Sequence, residues 1–246
     1  MRIGILGASG RVGTRLIESI LASPGLELAA ALVSAGSPVA GRPVAGALEY
    51  RSADKAIRSH CDVMIDFSTP SASLAFQEML GDQPLPTVIG TTGFTADEDA
   101  ALTRHAAKRP LLVSANFAYG FEAFRQAALG FARQMPGAEP QVLETYHARK
   151  KAEPSGTSKM LAGEIAAARS LAMGFAATDT PIIVNREGDT VGINEVRFSL
   201  GSGETTFAFT VHALSAYAEG AIAAARWLVD RAPAPGRYSL ADSLNR

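Results

Sequence analysis

The sequence lacks several features that would mark particular classes of protein. Its 246 residues include one cysteine, Cys61, so neither a disulfide framework nor a cysteine-based metal site can form within the chain. Charged residues make up 19% of the chain and the formal net charge is −1, which gives no indication of a nucleic-acid partner. His60 and His105 have no partners at metal-ligand spacing, so we also expect no metal site.

Long hydrophobic runs are absent as well. No apolar stretch approaches the roughly 20 residues that a membrane helix needs, and no charged leader or cleavage site precedes the first predicted strand. We therefore expect a cytoplasmic protein with no signal peptide and no membrane association. The sequence does contain 47% hydrophobic residues, which is enough to build the core of an ordinary globular protein.

The first half of the sequence alternates predicted strands with predicted helices. Thr69 followed by Pro70, and Thr95 followed by Glu98, are typical helix starts. Strands separated by helices indicate an α/β fold with a Rossmann-like, doubly wound parallel sheet. Apolar runs predict these strands at 2–7, 26–33, 62–67, 86–94 and 110–117.

The second half has a different pattern. A helix is predicted to begin near Ser155, and strands are predicted at 180–188, 194–201 and 205–213. In the last of these strands apolar residues alternate with threonines, which is typical of a sheet with one buried face. The short connections between the strands predict a smaller α+β domain with a mixed, largely antiparallel sheet.

A long helix is predicted at 216–232, and we infer that it returns the chain to the first domain. The predicted boundaries are therefore 1–117 and 217–246 for the first domain and 118–216 for the second.

A glycine-rich loop connects the first strand to the first helix. Its spacing, G-x-x-G-x-x-G, is a variant of the dinucleotide fingerprint. Such a loop offers the N–H groups of a helix start to a pyrophosphate. The alternative interpretation is a turn that merely tightens the packing of strand and helix. The predicted cofactor contacts in this loop are Gly7, Ala8, Ser9, Gly10, Arg11 and Val12.

The second strand ends in Val33 and Ser34, without the acidic residue that holds the ribose of NAD. Because that carboxylate is missing, nothing at this strand end repels a 2′-phosphate, which Ser34 and Arg11 can accept. We therefore predict NADPH as the preferred cofactor and NADH as the alternative. We also expect Val33→Glu to shift the preference toward NADH.

Three further strand ends carry small polar residues. In a doubly wound sheet ligands bind across the carboxyl ends of the strands, so these residues extend the predicted dinucleotide crevice. The alternative is a set of ordinary turns. The predicted contacts at these ends are Phe67, Ser68, Gly90, Thr91, Thr92, Ala115, Asn116 and Phe117.

A basic segment precedes the second-half helix. Tyr146 and His147 can donate protons or hydrogen bonds, and Lys150 adds positive charge. The turn Ser155, Gly156 and Thr157 starts the helix and offers N–H groups and hydroxyls to an anion. These features together suit a small dicarboxylate; the alternative is a solvated basic loop.

The whole set of motifs resembles the dihydrodipicolinate reductase family, in the family's order and spacing and over nearly the whole chain. The motifs that carry the resemblance are the glycine-rich loop with Arg11, DFSTP (66–70), GTTGF (90–94), ANF (115–117), Lys150 with PSGT (154–157), NREGDTVG (185–192) and GAIAAARWL (220–228).

The resemblance implies NAD(P)H-dependent reduction of 4-hydroxy-tetrahydrodipicolinate to tetrahydrodipicolinate in lysine and diaminopimelate biosynthesis. It implies a dinucleotide-binding domain made from both chain ends and a central domain for substrate binding and oligomerisation. It also implies a homotetramer joined through the central sheets.

Several positions depart from the family's pattern, including Ala152-Glu153 in place of Asp-Ala and Val33-Ser34 in place of a Glu-Arg pair at the end of the second strand. Tyr146 stands where members of the family have a histidine that serves as the proton donor. Asn194 also stands where a histidine is usual. One interpretation is that Tyr146 donates the proton, because the nearby Lys150 favours its phenolate form. The other is that water or Lys150 donates the proton and Tyr146 shapes the pocket. The departures also leave open a paralogous NAD(P)H-dependent reductase of another imine, enamine or keto-dicarboxylate, and a non-catalytic nucleotide-binding protein.

Overall fold

The computed structural model describes residues 1–54 and 57–244. In chain order its strands are β1 (Arg2–Leu6), β2 (Glu27–Leu32), β3 (Pro43–Ala45), β4 (Leu48–Arg51), β5 (Val63–Asp66), β6 (Thr87–Ile89), β7 (Pro110–Val113), β8 (Glu139–Tyr146), β9 (Ile182–Arg186), β10 (Gly192–Ser199), β11 (Glu204–Val211) and β12 (Gly236–Tyr238). Its helices are α1 (Arg11–Leu21), α2 (Ile57–His60), α3 (Pro70–Leu80), α4 (Ala96–Ala106), α5 (Phe121–Gln134), α6 (Gly156–Met173), α7 (Ser215–Arg231) and α8 (Leu240–Leu244).

The chain divides into two compact units. Unit 1 comprises Met1–Ala118 and Leu214–Arg246, and unit 2 comprises Tyr119–Ala213. No helix in the described part of the chain is long and apolar enough to cross a membrane.

Unit 1 is built on an eight-stranded sheet with the order β12-β7-β6-β5-β1-β2-β4-β3. The five predicted strands form its centre and pair in parallel, and the hairpin partner β3 is antiparallel to β4. The strand order reverses between β1 and β5, so the chain runs outward from β1 in both directions. The predicted Rossmann-like, doubly wound sheet is confirmed.

Helices cover both faces of this sheet because each helix carries an apolar stripe. Leu16, Ile17 and Ile20 of α1 are buried in one core cluster together with the apolar residues of α7. On the other face, Phe76 and Leu80 of α3 pack with strand residues in a second cluster. The doubly wound arrangement therefore follows from the spacing of apolar residues in the helices.

The predicted helix starts are confirmed in atomic detail. The side chain of Thr69 accepts a hydrogen bond from the N–H of Ala72 at the start of α3, and Pro70 occupies the first turn. At the start of α4, the Thr95 hydroxyl accepts from the N–H of Glu98, and the Glu98 carboxylate accepts from the N–H of Thr95. This reciprocal pair is the capping box that the sequence predicts.

Unit 2 contains a four-stranded sheet with the order β11-β10-β8-β9. β10 pairs antiparallel with β11 on one side and with β8 on the other. The short connection between β9 and β10 suggests that these strands pair, but β9 lies parallel to β8 instead. The reason is that both edges of β10 are already occupied. The sheet is mixed and largely antiparallel, as predicted.

Helices α5 and α6 pack against each other, and they contact β11 and β8 respectively. Between α5 and the sheet lies an aromatic cluster in which the ring centroids of Phe131 and Phe198 are 4.8 Å apart. Phe207 joins it, at 5.7 Å from Phe131. The alternating apolar residues of β11 therefore face the helices, while Thr206 and Thr210 are exposed.

Several elements were not predicted from the sequence. These are the hairpin β3–β4, the three-residue strand β12 and the helix α5, and the course of β8 was recognised only at its end. The first two are short, so they carry too few residues for a periodic signal. They form because the sheet edges offer unpaired backbone groups.

The packing of α7 against the loop that follows β7 predicts a site that tolerates no side chain. A Cβ added to Gly220 would lie 1.6 Å from the carbonyl oxygen of Phe117. We expect Gly220→Ala to lower the free energy of unfolding by about 1–3 kcal/mol or more, because backbone has to move. Gly163 of α6 is the matched control, since its Cβ would meet nothing within 4 Å. Gly163→Ala should be neutral or stabilising by about 0.5–1 kcal/mol. Urea unfolding of both variants tests this, and equal effects would contradict it.

Candidate active site

The predicted cofactor residues lie at one edge of the unit 1 sheet. Each group follows the carboxyl end of a parallel strand: 7–12 follows β1, Ser34 follows β2, 67–68 follows β5, 90–92 follows β6 and 115–117 follows β7. These five strands are neighbours in the sheet. The fold therefore brings all of the predicted groups to a single edge.

Close backbone contacts explain the glycines of the first loop. Gly7 has a φ of +82°, and a Cβ there would lie 2.5 Å from the carbonyl oxygen of Phe67. A Cβ at Gly13 would lie 2.3 Å from the carbonyl oxygen of Gly7. Gly10 is the N-cap of α1 and has no side chain that could accept a hydrogen bond. The first N–H groups of this helix therefore have no side-chain cap. This cradle fits a pyrophosphate.

The loops after β5, β6 and β7 are held together by packing. The ring of Phe67 lies over Gly90, where an added Cβ would be 2.3 Å from it. Phe67 also contacts the ring of Phe117, with centroids 5.8 Å apart. The side-chain oxygen of Asn116 accepts a hydrogen bond from the N–H of Ala118. The amide nitrogen of Asn116 is buried and has no hydrogen-bond partner among the described residues.

Asp66, which the sequence analysis did not single out, connects two of these loops. Its Oδ1 accepts hydrogen bonds from the N–H and hydroxyl of Ser68, at 2.9 and 2.6 Å, and from the hydroxyl of Thr91 at 3.0 Å. Burial raises the pKa of Asp66 more than these hydrogen bonds lower it. The sequence did contain a signal for this role, because an acidic residue ends an otherwise apolar strand.

At the end of β2 the two residues differ in exposure. The side chain of Val33 is 7% exposed and belongs to the core cluster of unit 1, whereas Ser34 is exposed. A glutamate at position 33 would place a charge in the core instead of beside a ribose. Ser34 is therefore the position at which the charge of this strand end can be changed.

The predicted substrate residues lie together in unit 2, at the end of β8 and the start of α6. Tyr146 is the last residue of β8, and His147 and Lys150 follow in a turn closed by a 3.0 Å bond from the Lys150 N–H to the His147 carbonyl oxygen. The side chain of Ser155 caps α6 by accepting a hydrogen bond from the N–H of Ser158. Gly156 and Thr157 are the first residues of this helix.

The environment of Tyr146 differs from expectation. The residue is 6% exposed, and its hydroxyl donates to Oδ1 of Asn194 at 3.3 Å. Burial raises the pKa of Tyr146, which outweighs the effect of its hydrogen bonds. Burial is therefore the dominant influence on the acidity of this phenol. Lys150 Nζ lies over the face of the ring, 3.3 Å from its centroid, in a cation–π contact.

A buried ion pair lies behind the start of α6. The Glu144 carboxylate has no exposed surface and accepts hydrogen bonds from the N–H of Ser155 and the hydroxyl of Ser158. Its other oxygen accepts from Nη2 of Arg186 at 2.8 Å. Burial alone would raise the pKa of Glu144, but these hydrogen bonds together hold it below its usual range. The signal in the sequence was an acid within the apolar run of β8.

Tyr146 and Asn194, two of the positions that depart from the family pattern, are in direct contact. Asn194 is 1% exposed, and its Nδ2 donates to the hydroxyl of Ser158 at 3.4 Å. A continuous set of hydrogen bonds therefore runs from Tyr146 through Asn194 and Ser158 to Glu144. Within residues 1–54 and 57–244, no group of three His, Cys, Asp or Glu side chains is arranged to hold a metal ion.

Comparison with known proteins defines the family. Residues 1–117 match the family model for the N-terminus of dihydrodipicolinate reductase, and residues 120–244 match the model for its C-terminus. The chain therefore belongs to the dihydrodipicolinate reductase family. This confirms the predicted resemblance and the predicted class of enzyme, an NAD(P)H-dependent oxidoreductase of this family.

Two curated relatives match along their full lengths. The 4-hydroxy-tetrahydrodipicolinate reductase of Sulfurovum sp. (strain NBC37-1) is 32% identical over 257 residues, which covers 99% of this chain and 98% of the relative. The enzyme of the same name from Anaeromyxobacter dehalogenans (strain 2CP-1 / ATCC BAA-258) is 34% identical and covers 99% of this chain and 97% of the relative.

Among solved structures, the fold is similar to a dipicolinate-bound dihydrodipicolinate reductase from Paenisporosarcina sp. TG-14. The TM-score is 0.76, the identity is 21%, and the match covers 97% of each chain. This similarity supports the assignment of the fold.

The buried carboxyl of Asp66 predicts how stability changes with pH. The pKa of this carboxyl is raised in the folded state. Above a pH of about 4 the unfolded chain loses the proton while the folded protein retains it, so the free energy of unfolding falls as pH rises. We expect the difference in unfolding free energy between the native protein and Asp66→Asn to fall as pH rises above about 4.

Asp62 provides a control of opposite sign. Its hydrogen bonds with Arg2 hold its pKa below the usual range, so its contribution to stability is present at higher pH and lost on acidification. The difference between the native protein and Asp62→Asn should therefore rise with pH. Urea unfolding across pH 4 to 8 gives the Asp66→Asn difference, and measurements below pH 4 give the Asp62→Asn difference, which changes only below the unfolded pKa of about 4. A constant difference for Asp66→Asn would show that its carboxyl is not penalised by burial.

Proposed function

We propose that this chain reduces 4-hydroxy-tetrahydrodipicolinate to tetrahydrodipicolinate with NAD(P)H, in lysine and diaminopimelate biosynthesis. One observation carries the proposal: the full-length match to curated reductases of this substrate accompanies an intact cationic site at the start of α6. The proposal assigns cofactor binding to unit 1, through the residues at its sheet edge, and substrate binding to unit 2.

In unit 2 the proposed substrate contacts are His147, Lys150 and the residues 155–157. The N–H groups of Gly156 and Thr157 and the nearby cation suit the carboxylates of a small dicarboxylate. The dipicolinate of the Paenisporosarcina structure is such a compound, since it carries two carboxylates on one ring.

The surroundings of Tyr146 support a proposal for the proton donor. A phenol with a raised pKa, whose hydroxyl already donates to Asn194, is a weak acid at neutral pH. Lys150 holds its ammonium group against the ring and lies in the segment that carries the anion site. We propose Lys150 as the proton donor of the catalytic pair on geometric grounds, because the Tyr146 hydroxyl is held by Asn194 whereas the Lys150 ammonium group lies next to the proposed anion site, with Tyr146 as the residue that positions it. When bound, reduced nicotinamide supplies the hydride.

Two other functions remain as alternatives to be tested. A paralogous reductase of another imine, enamine or keto-dicarboxylate is favoured by the contact between Tyr146 and Asn194. Both residues stand where the family has a histidine, so the polar groups at the proposed substrate site differ from the family pattern. A non-catalytic nucleotide-binding protein is disfavoured by the presence of Lys150 and the capped start of α6.

A coupled assay decides among these functions. The product of aspartate semialdehyde–pyruvate condensation is generated in the cuvette, and oxidation of NADPH or NADH is followed. Turnover supports the proposal. Binding of the cofactor without turnover of this substrate would favour one of the two alternatives.

Variants of the catalytic pair test the assigned roles. Lys150→Ala should lower kcat/KM by about 10- to 150-fold, because it removes one charge-assisted hydrogen bond and the proton donor. Tyr146→Phe keeps the ring and removes the hydroxyl, so kcat should stay near its native value. Lys151→Ala is the matched control, because this side chain is 88% exposed, and it should have no effect. A loss of roughly 10²-fold in Tyr146→Phe would instead identify the tyrosine as the general acid.

We further propose that NADPH binds more tightly than NADH, since β2 ends without an acid and Ser34 is exposed there. Ser34→Asp should weaken NADPH binding and favour NADH, because the new carboxylate repels a 2′-phosphate and accepts from a ribose hydroxyl. Ser34→Ala controls for loss of the hydroxyl. Calorimetric titration with both cofactors measures the effect, and tighter binding of NADH by the native protein would contradict the proposal.

We also propose that the chain forms a homotetramer through the sheets of unit 2. The support is the exposed face of β11, where Thr206, Ala208 and Thr210 point away from the helices that cover the other face. Light scattering in dilute solution tests this, and a monomeric mass would contradict it.

A further inference from the structure

A buried anion lies directly behind a site that is proposed to bind anions. The Glu144 carboxylate accepts from the N–H of Ser155 at 2.9 Å, at the start of α6. The carboxylate therefore uses one of the N–H donors at the start of α6 and places a negative charge beside the first turn of this helix. Left uncompensated, this charge would repel a dicarboxylate from the N–H groups of Gly156 and Thr157.

Arg186 compensates this charge and also fixes the neighbouring loop. Its Nη2 donates to Glu144 at 2.8 Å and to the carbonyl oxygens of Lys151 and Glu153 at 2.7 and 2.9 Å. Its Nε donates to the Lys151 carbonyl oxygen at 2.9 Å as well. One planar guanidinium thus connects β9 and the end of β8 to the segment that follows Lys150. The single ammonium of a lysine could not reproduce this set of bonds.

We propose that Glu144 and Arg186 are positioning residues for the substrate carboxylates, an inference that rests on the proposed function. Glu144 anchors the first turn of α6, and Arg186 anchors the loop of Lys150 and cancels the charge of Glu144. The pair therefore gives the anion site its shape while keeping the local charge positive. Neither residue has to touch the substrate.

The positioning role predicts that the effects of the two substitutions on dipicolinate binding depend on each other. Residues that only stabilised the fold would not show this dependence. Arg186→Gln leaves the Glu144 carboxylate buried, unpaired and next to the anion site, so it should weaken binding of dipicolinate by about 10-fold or more. Glu144→Gln removes the charge and keeps an oxygen for the N–H of Ser155, so it should weaken binding less. In the double variant Glu144→Gln/Arg186→Gln the repelling charge is gone, and binding should be tighter than in Arg186→Gln alone.

The control is Arg149→Gln, which breaks the exposed ion pair of Arg149 with Asp189 in the same loop. It should leave binding within about twofold of native, because exposed pairs contribute little. Calorimetry of dipicolinate with each protein in the presence of NADPH gives the affinities, and the affinity for NADPH itself should be the same in all variants. The KM of each variant with the condensation product gives a second, independent measure.

The results separate this inference from the proposed function. Native-like binding of dipicolinate by Arg186→Gln, or a double variant no better than Arg186→Gln, would overturn the positioning role. If Arg186→Gln fails to fold, a double variant that binds no more weakly than Glu144→Gln overturns it. Native protein that binds dipicolinate without turning over the condensation product would overturn the proposed function and leave the inference standing. Native protein that does neither would overturn both.

Discussion

A carboxylate with no exposed surface has to be compensated on every side, and in unit 2 the Glu144 carboxylate imposes this constraint. Its partners come from two separate parts of the chain: Ser155 and Ser158 belong to the start of α6, and Arg186 ends β9. Satisfying the carboxylate therefore fixes where α6 begins relative to the sheet. It also fixes the loop that carries Lys150, because Arg186 holds the backbone carbonyls that follow it. The local shape of the proposed substrate site is thus a consequence of one buried charge.

In unit 1 the proposed anion site is formed by different means. There the constraint is the close approach of backbone segments, since Gly7 and Gly13 lie where any side chain would collide with a carbonyl oxygen. The start of α1 is left without a side-chain cap, so its N–H groups remain available to a phosphate. In unit 2 the start of α6 is capped by Ser155 and already shared with Glu144. A helix start with fewer available donors benefits from added positive charge, and Lys150 in the segment before α6 supplies it.

The sequence predicted those features that depend on local pattern. Helix starts such as that at Thr95 follow from side chains three residues apart, and the central strands follow from continuous apolar runs. Features that depend on tertiary neighbours were missed. The pairing of β9 with β8 is decided by the occupied edges of β10, which no local pattern records. The roles of Asp66 and Glu144 were missed because an acid in an apolar run shows that compensation is required but not which distant residues provide it.

The chemistry expected of Tyr146 shows the same limit, because it depends on tertiary contacts that only the structure reveals. Judged from the sequence, a tyrosine beside a lysine suggests an activated phenol, because nearby positive charge stabilises a phenolate. The structure places the ammonium of Lys150 on the ring face and the hydroxyl beside Asn194, so burial dominates and the phenol becomes a weaker acid. Asn194 in turn donates to Ser158, which is bound to Glu144. The side chain at position 146 therefore holds a cation on its ring, and its hydroxyl joins the hydrogen bonds that lead to the buried carboxylate.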